Sequence, residues 1–139
     1  MNNFFSPEPF YQQTGIGILR IITGLLLVYH GIELFDAETM KVYTTWDSLK
    51  ASTLLPYIGK AGELISGILL TIGLFTRPAC IIIMATFIYI TFFVGGGKFW
   101  YQDQHPFMFV LMSLVFIFTG PGNFSVDEWR MRHFKKVAA

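Results

Sequence analysis

The stretch from Thr14 to Phe35, TGIGILRIITGLLLVYHGIELF, constrains the fold more than any other part of this chain. A helix rises about 1.5 Å per residue, so this run is long enough to cross about 30 Å of hydrocarbon. It nevertheless carries Arg20, His30 and Glu33. Each ionisable group at membrane depth costs about 3 kcal/mol on insertion scales unless it faces a protein interior, a partner or water. Such a helix therefore needs other apolar helices around it. The sequence supplies them from about Leu54 to Phe75, with Lys60 and Glu63 inside, and from Pro78 through PACIIIMATFIYITFFV to Gly95. A last run, His105 to Thr119, follows.

The reading is all-α, an integral membrane four-helix bundle with spans at about 14–35, 54–75, 78–95 and 101–120, forming one membrane domain over residues 1–139. Only 14% of the residues are charged and 53% are hydrophobic, against about 25% charged in soluble domains. Mean hydropathy is +0.53. The fourth run is the shortest. At about 22 Å of helix it either begins earlier, near Phe99, or meets a thinned bilayer, with a re-entrant segment as the alternative.

The connectors have their own signals. Thr76-Arg77-Pro78 is a tight link, because proline is tolerated in the first turn of a helix and disfavoured further in. Asp36 to Thr53 holds five charged residues and Trp46, and reads as an exposed loop with one short interfacial helix. Gly120-Pro121-Gly122 stops the fourth helix, and Ser125-Val126-Asp127-Glu128 has the form of a capping box. It opens a helix over about 125–137 in which Val126, Trp129, Phe134 and Val137 share one face and Arg130, Arg132, Lys135 and Lys136 the other. That pattern predicts a helix lying on the membrane surface.

Arg77 and the four basic residues of the tail lie on one side of the spans, against Lys41, Lys50 and Lys98 on the other. The excess puts both termini in the cytoplasm. Met1 to Pro9 lacks a basic region before the apolar run and is not read as a signal peptide. A net charge of +1 gives no reason to expect nucleic acid as a partner. Cys80, the single cysteine, excludes an internal disulfide and a CxxC pair. The expected partners are membrane lipid and other membrane subunits or a second copy of the chain.

The candidate site residues are the ionisable groups within the spans. If the first helix rises outward and the second descends, His30, Lys60 and Glu63 fall about 7, 9 and 13 Å below the outer boundary, and Glu33 and His105 lie near the same rim. Arg20 shares a broad inward face with His30. Gly17, Gly24 and Gly31 repeat every seven residues, as small residues do where another helix packs closely. Gly59, Glu63, Ser66, Gly67 and Leu70 form a matching seam on the second helix, so these two helices are expected to enclose Glu63. Arg20 either snorkels to the inner surface or binds an anion or carbonyl. Glu63 either pairs with Arg20 or Lys60, or relays protons and hydrogen-bonds a quinone-like head group; Lys60 is expected to reach toward the outer interface. His30, Glu33, Glu63 and His105 offer nitrogen and oxygen ligands, but at no diagnostic spacing, so no metal is expected. Gly95-Gly96-Gly97-Lys98 lacks the spacing and the following Ser/Thr of a phosphate loop.

Leu19-Arg20 with Gly24, His30-Gly31, Gly62-Glu63-Leu64, Gly67-Ile68-Leu69-Leu70, Gly73-Leu74-Phe75-Thr76-Arg77 and the closing Gly120-Pro121-Gly122-Asn123-Phe124-Ser125-Val126-Asp127 together resemble the DoxX family, over about residues 15 to 127. The resemblance implies a four-helix bundle in a prokaryotic inner membrane, related to the DoxD subunit of thiosulfate:quinone oxidoreductase, with relatives in membrane redox or oxidative-stress assemblies. A quinone is the cofactor it makes possible. Relatives often carry a basic residue soon after the His-Gly pair. Here Glu33, Leu34 and Phe35 stand there, which argues against anion binding at that end, thiosulfate included. Two functions are expected from this: a subunit or accessory of a quinone-linked redox complex, or a structural, assembly or small-molecule carrier protein whose inward charges hold the helices together.

Overall fold

A computed structural model describes residues 9–49 and 52–137, with side chains up to residue 134. The reading of the N-terminal residues through Glu8, and those of Lys50 and of the Lys135, Lys136 and Val137 side chains, lie outside the described residues. Six α-helices follow one another: α1 (Gln12–Gly31), extended by a 3₁₀ turn (Ile32–Phe35), α2 (Ala37–Thr45), α3 (Leu55–Ile72), α4 (Thr76–Tyr89), continued by a π turn (Ile90–Val94), α5 (Gln104–Thr119) and α6 (Val126–Val137). The fold is all-α, with no strand among the described residues.

Three of these units are long and apolar enough to cross a membrane, at Gln12–Phe35, Leu55–Ile72 and Thr76–Val94. Their side chains are distributed inside out relative to a water-soluble domain. Ile18, Leu19, Ile22, Leu25 and Leu26 are each about half exposed, whereas Arg20, Thr23, Glu63, Ser66, Thr91 and Ser113 are buried. Apolar outside and polar inside is the arrangement lipid favours. The apolar core is small and central, built from Leu27, Leu70, Cys80, Ile83, Phe87, Phe109 and Phe116.

α1 packs most extensively on α3, α3 on α4 and α4 on α5, while α1 and α5 touch over a narrower strip. The α1–α3 contact depends on glycine. A Cβ at Gly31 would stand 2.6 Å from the Leu64 Cα, and one at Gly24 would stand 2.6 Å from the Thr71 backbone nitrogen. Gly24 and Gly31 thus permit backbone-to-backbone approach, while Gly17, the third of the heptad, lies against the backbone of Asn123.

Local rules explain the helix ends. α3 closes in a Schellman motif, with Gly73 at φ +68° and the Leu74 N–H bonded to the Leu69 carbonyl at 3.0 Å, the left-handed position where glycine carries no penalty. α4 starts at Thr76, two residues before the expected Pro78. The reason is remote in sequence: the Asp127 carboxylate accepts from the Phe75 and Thr76 N–H groups at 3.0 and 2.9 Å. α5 does not reach back to Phe99. Asp103 accepts from the Lys98 N–H at 2.9 Å and folds this segment into a turn, leaving a helix of 16 residues. α6 begins as the capping box predicts, with the Ser125 hydroxyl accepting from the Glu128 N–H at 3.1 Å.

Candidate functional site

The polar residues of the spans separate into two clusters at opposite ends of the molecule. At one end lies Arg20, which is 0% exposed. Its guanidinium donates to five backbone carbonyls: Leu70, Thr71 at 2.7 Å, Pro121 at 2.8 Å, Phe124 at 2.8 Å and Asn123 at 3.4 Å. Leu70 and Thr71 present carbonyls of the last turn of α3, where a cation is favoured, and the Leu70 carbonyl also accepts from the Gly73 N–H at 3.2 Å. The other three belong to the Gly-Pro-Gly-Asn-Phe turn before α6. Arg20 therefore neither snorkels to a surface nor pairs with Glu63. Its fork of donors ties α1, the end of α3 and the closing turn into one latch.

The latch has supporting bonds. Asn123 donates from its amide side chain to the Thr14 hydroxyl at 3.0 Å, and its N–H donates to the Gln13 carbonyl at 2.9 Å. The Asp127 N–H donates to the Gly73 carbonyl at 2.9 Å. Gly17 lies so close to the Asn123 carbonyl that a side chain there has no room.

At the other end, about 15 Å along α1 from Arg20, His30, Glu33, Lys60, Glu63 and His105 come together. The Lys60 ammonium bridges two carboxylates, 2.9 Å from Glu33 Oε2 and 2.9 Å from Glu63 Oε2, and approaches the His30 carbonyl at 3.4 Å. Lys60 is thus held between two carboxylates, one of them on the partly exposed Glu33. The Lys60 and Glu63 side chains are 13% and 4% exposed, so the carboxylate of Glu63 is buried with its partner beside it. Glu33, 31% exposed, is also 3.9 Å from the His30 Nδ1.

The His30 and His105 rings meet edge to face, with centroids 5.5 Å apart and planes at 70°, and both are edge-on to Phe109. They open onto a cavity of about 420 Å³, whose lining includes Lys60, Glu63, Tyr43, Trp46 and Phe87. Its walls are mostly apolar, with polar groups converging at one end, the usual make-up of a small-molecule site. No three His, Cys, Asp or Glu side chains among the described residues are grouped as metal ligands.

The sequence reading missed Tyr43 and Trp46. Tyr43 lies on α2 and Trp46 at its C-terminal cap; the short helix expected in this stretch is present, and these two residues line the cavity. Asp36 caps α2 by accepting from the Glu38 N–H at 3.2 Å, Met40 is fully buried, and the Tyr43 hydroxyl donates to Glu33 Oε2 at 2.7 Å. Shielding from water, then the bond to Glu33, holds the Tyr43 phenol above its ordinary range. The three-residue spacing of Met40, Tyr43 and Trp46 was the available signal.

Apolar-out, polar-in helices of spanning length mark this chain as a membrane protein. Residues 15–96, more than half of the chain, match the DoxX family. The chain belongs to that family. The matched region carries Arg20, His30, Glu33, Lys60 and Glu63, while His105 and the closing turn lie beyond it. The chain is also 28% identical over 143 residues to an uncharacterised protein of Haemophilus influenzae, covering 98% of this chain and 100% of that one. No solved structure matches.

Proposed function

We propose that the chain is a subunit of, or accessory to, a quinone-linked redox complex in a prokaryotic inner membrane, and that the cavity over Glu63 holds the quinone-type head group. In this reading α5 is the fourth span of a four-helix bundle, both termini face the cytoplasm and α6 lies on the membrane surface. The observation that carries it is the cavity of about 420 Å³ with aromatic walls and His30, His105, Lys60 and Glu63 converging on it. When bound, a quinone would supply two-electron, two-proton redox chemistry at this site. The residues of this chain bind and position it. The two neighbouring imidazoles suit hydrogen bonds to a ring carbonyl, Trp46 and Phe87 suit the ring face, and the Glu63–Lys60–Glu33 series connects a buried carboxylate to a partly exposed one along which protons can pass. Arg20 takes no part, since its donors are engaged in the latch.

A second reading has support in the same cluster. Lys60 is already satisfied by two carboxylates, as expected of an internal strut in an assembly subunit or carrier. One experiment separates the two. The protein purified in mild detergent is extracted with organic solvent and the extract analysed by mass spectrometry. A quinone near one equivalent, lost in Glu63→Gln while the variant stays folded, supports the redox reading. No quinone in the wild type, with Glu63→Gln lowering thermal stability only, supports the strut.

A further inference from the structure

We propose that the groove beside α6 binds the phosphate of an anionic lipid head group, at the end of the molecule opposite the cavity. This site does not depend on the redox reading. The groove has a volume of about 600 Å³ and runs between the start of α4, the end of α5 and α6, with Arg77, Arg130, Phe75, Pro78, Met131 and Phe134 on its walls.

Its two arginines and two carboxylates balance in number but not in commitment. Both carboxylates are committed: Asp127 to the Phe75 and Thr76 N–H groups, and Glu128 to Arg132 at 2.6 Å. Arg77 and Arg130 are exposed, and neither has an ion pair among the described residues. The Arg130 guanidinium rests over the Phe75 ring, 5.7 Å from its centroid, a placement that holds the cation without neutralising it. The Thr76 hydroxyl, on a groove residue that is 1% exposed, has no hydrogen-bond partner.

The apolar half of the groove identifies the anion's carrier. Phe75, Met131 and Phe134 are exposed by 53%, 53% and 68% beside the two arginines. A free phosphate ion has no use for such a surface, whereas a phospholipid presents its phosphate directly above its acyl chains. The height also fits. Arg77 is the second residue of α4, so it stands at the boundary of a candidate span, where lipid phosphates lie.

The test uses the full chain in neutral detergent, titrated separately with phosphatidylglycerol, phosphatidylcholine and inorganic phosphate. Thermal midpoints and lipid retained in native mass spectrometry are the readouts. Phosphatidylglycerol should be retained and raise the midpoint, and the other two should not. Arg77→Gln with Arg130→Gln should weaken phosphatidylglycerol about 30-fold, the effect of two basic residues at an anionic surface, whereas Lys98→Gln, an exposed residue outside the groove, should leave it unchanged. If the double variant fails to fold, Arg77→Lys must keep the lipid and Arg77→Glu must lose it. Equal response to phosphatidylcholine or to inorganic phosphate, or full retention by the arginine variants, would overturn the proposal.

Discussion

Replacing Arg20 by methionine is the most direct probe of how this protein is held together. Methionine fills much of the same space but removes every donor to the five carbonyls of the latch. The Leu70 carbonyl keeps the Gly73 N–H at 3.2 Å, and the Asn123 contact is the longest at 3.4 Å. Thr71, Pro121 and Phe124 are left without a comparable partner. At about 1 kcal/mol for each stranded acceptor, the low end for buried groups, the loss is about 3 kcal/mol. For a chain of this size that corresponds to a fall of about 6–12 °C in the thermal midpoint. Circular dichroism at 222 nm in a mild detergent measures it. Arg20→Lys should recover less than half, because an ammonium presents a compact set of three donors where a planar fork is needed. A fall of under about 2 °C for Arg20→Met, or full recovery by lysine, would refute the latch as the source of stability.

Other outcomes follow from the same geometry. Asp127→Ala uncaps α4 from a distance and should cost about 1 kcal/mol, read as a lower midpoint, with faster hydrogen exchange at Thr76 by mass spectrometry. Gly31→Ala places a methyl against the Leu64 backbone and should destabilise by about 1–3 kcal/mol; Gly15→Ala, with nothing within 4 Å, should be neutral or slightly stabilising in the same melting assay. Tyr43 has a folded pKa above its unfolded value. Its contribution is therefore complete below the ordinary phenol range, near pH 10, and is lost as pH rises through the folded value. Wild type should lose stability in that alkaline window more steeply than Tyr43→Phe, measured by denaturation at a series of pH values.

Much of the helix layout was legible because lipid leaves the backbone few choices, and an apolar run of sufficient length becomes helix whatever its intrinsic propensity. The roles of Gly24 and Gly31 were legible for a related reason: only a small residue allows two backbones to approach as α1 and α3 do, whereas Gly17 turns out to face Asn123. Directions of long side chains were not legible. Lys60 at a given height on α3 can extend outward or turn to a neighbour, and Glu33, which pairs with it, comes from another helix. For Arg20, binding to a carbonyl was one of the two legible alternatives, but which carbonyls was not. Its partners are backbone carbonyls 50 to 104 residues away, and a carbonyl carries no residue type for a sequence to show. The start of α4 shifted for the same reason, since its cap lies in the last helix. Tyr43 was overlooked because the polar residues around it outweighed its spacing with Met40.

The latch also dictates an order of birth. α1 leaves the ribosome with a guanidinium that has none of its final partners, and the first of them, Leu70 and Thr71, are made about 50 residues later. Pro121 and Phe124 need about 50 more, a wait of several seconds at usual elongation rates. During that interval the nascent chain holds an unsatisfied cation at the membrane, able to slide out toward water or be held by an insertion factor. Only when the closing turn appears can α1 settle permanently. A chain cut short before residue 120 would lack the Pro121, Asn123 and Phe124 carbonyls and leave Arg20 with two of its five acceptors.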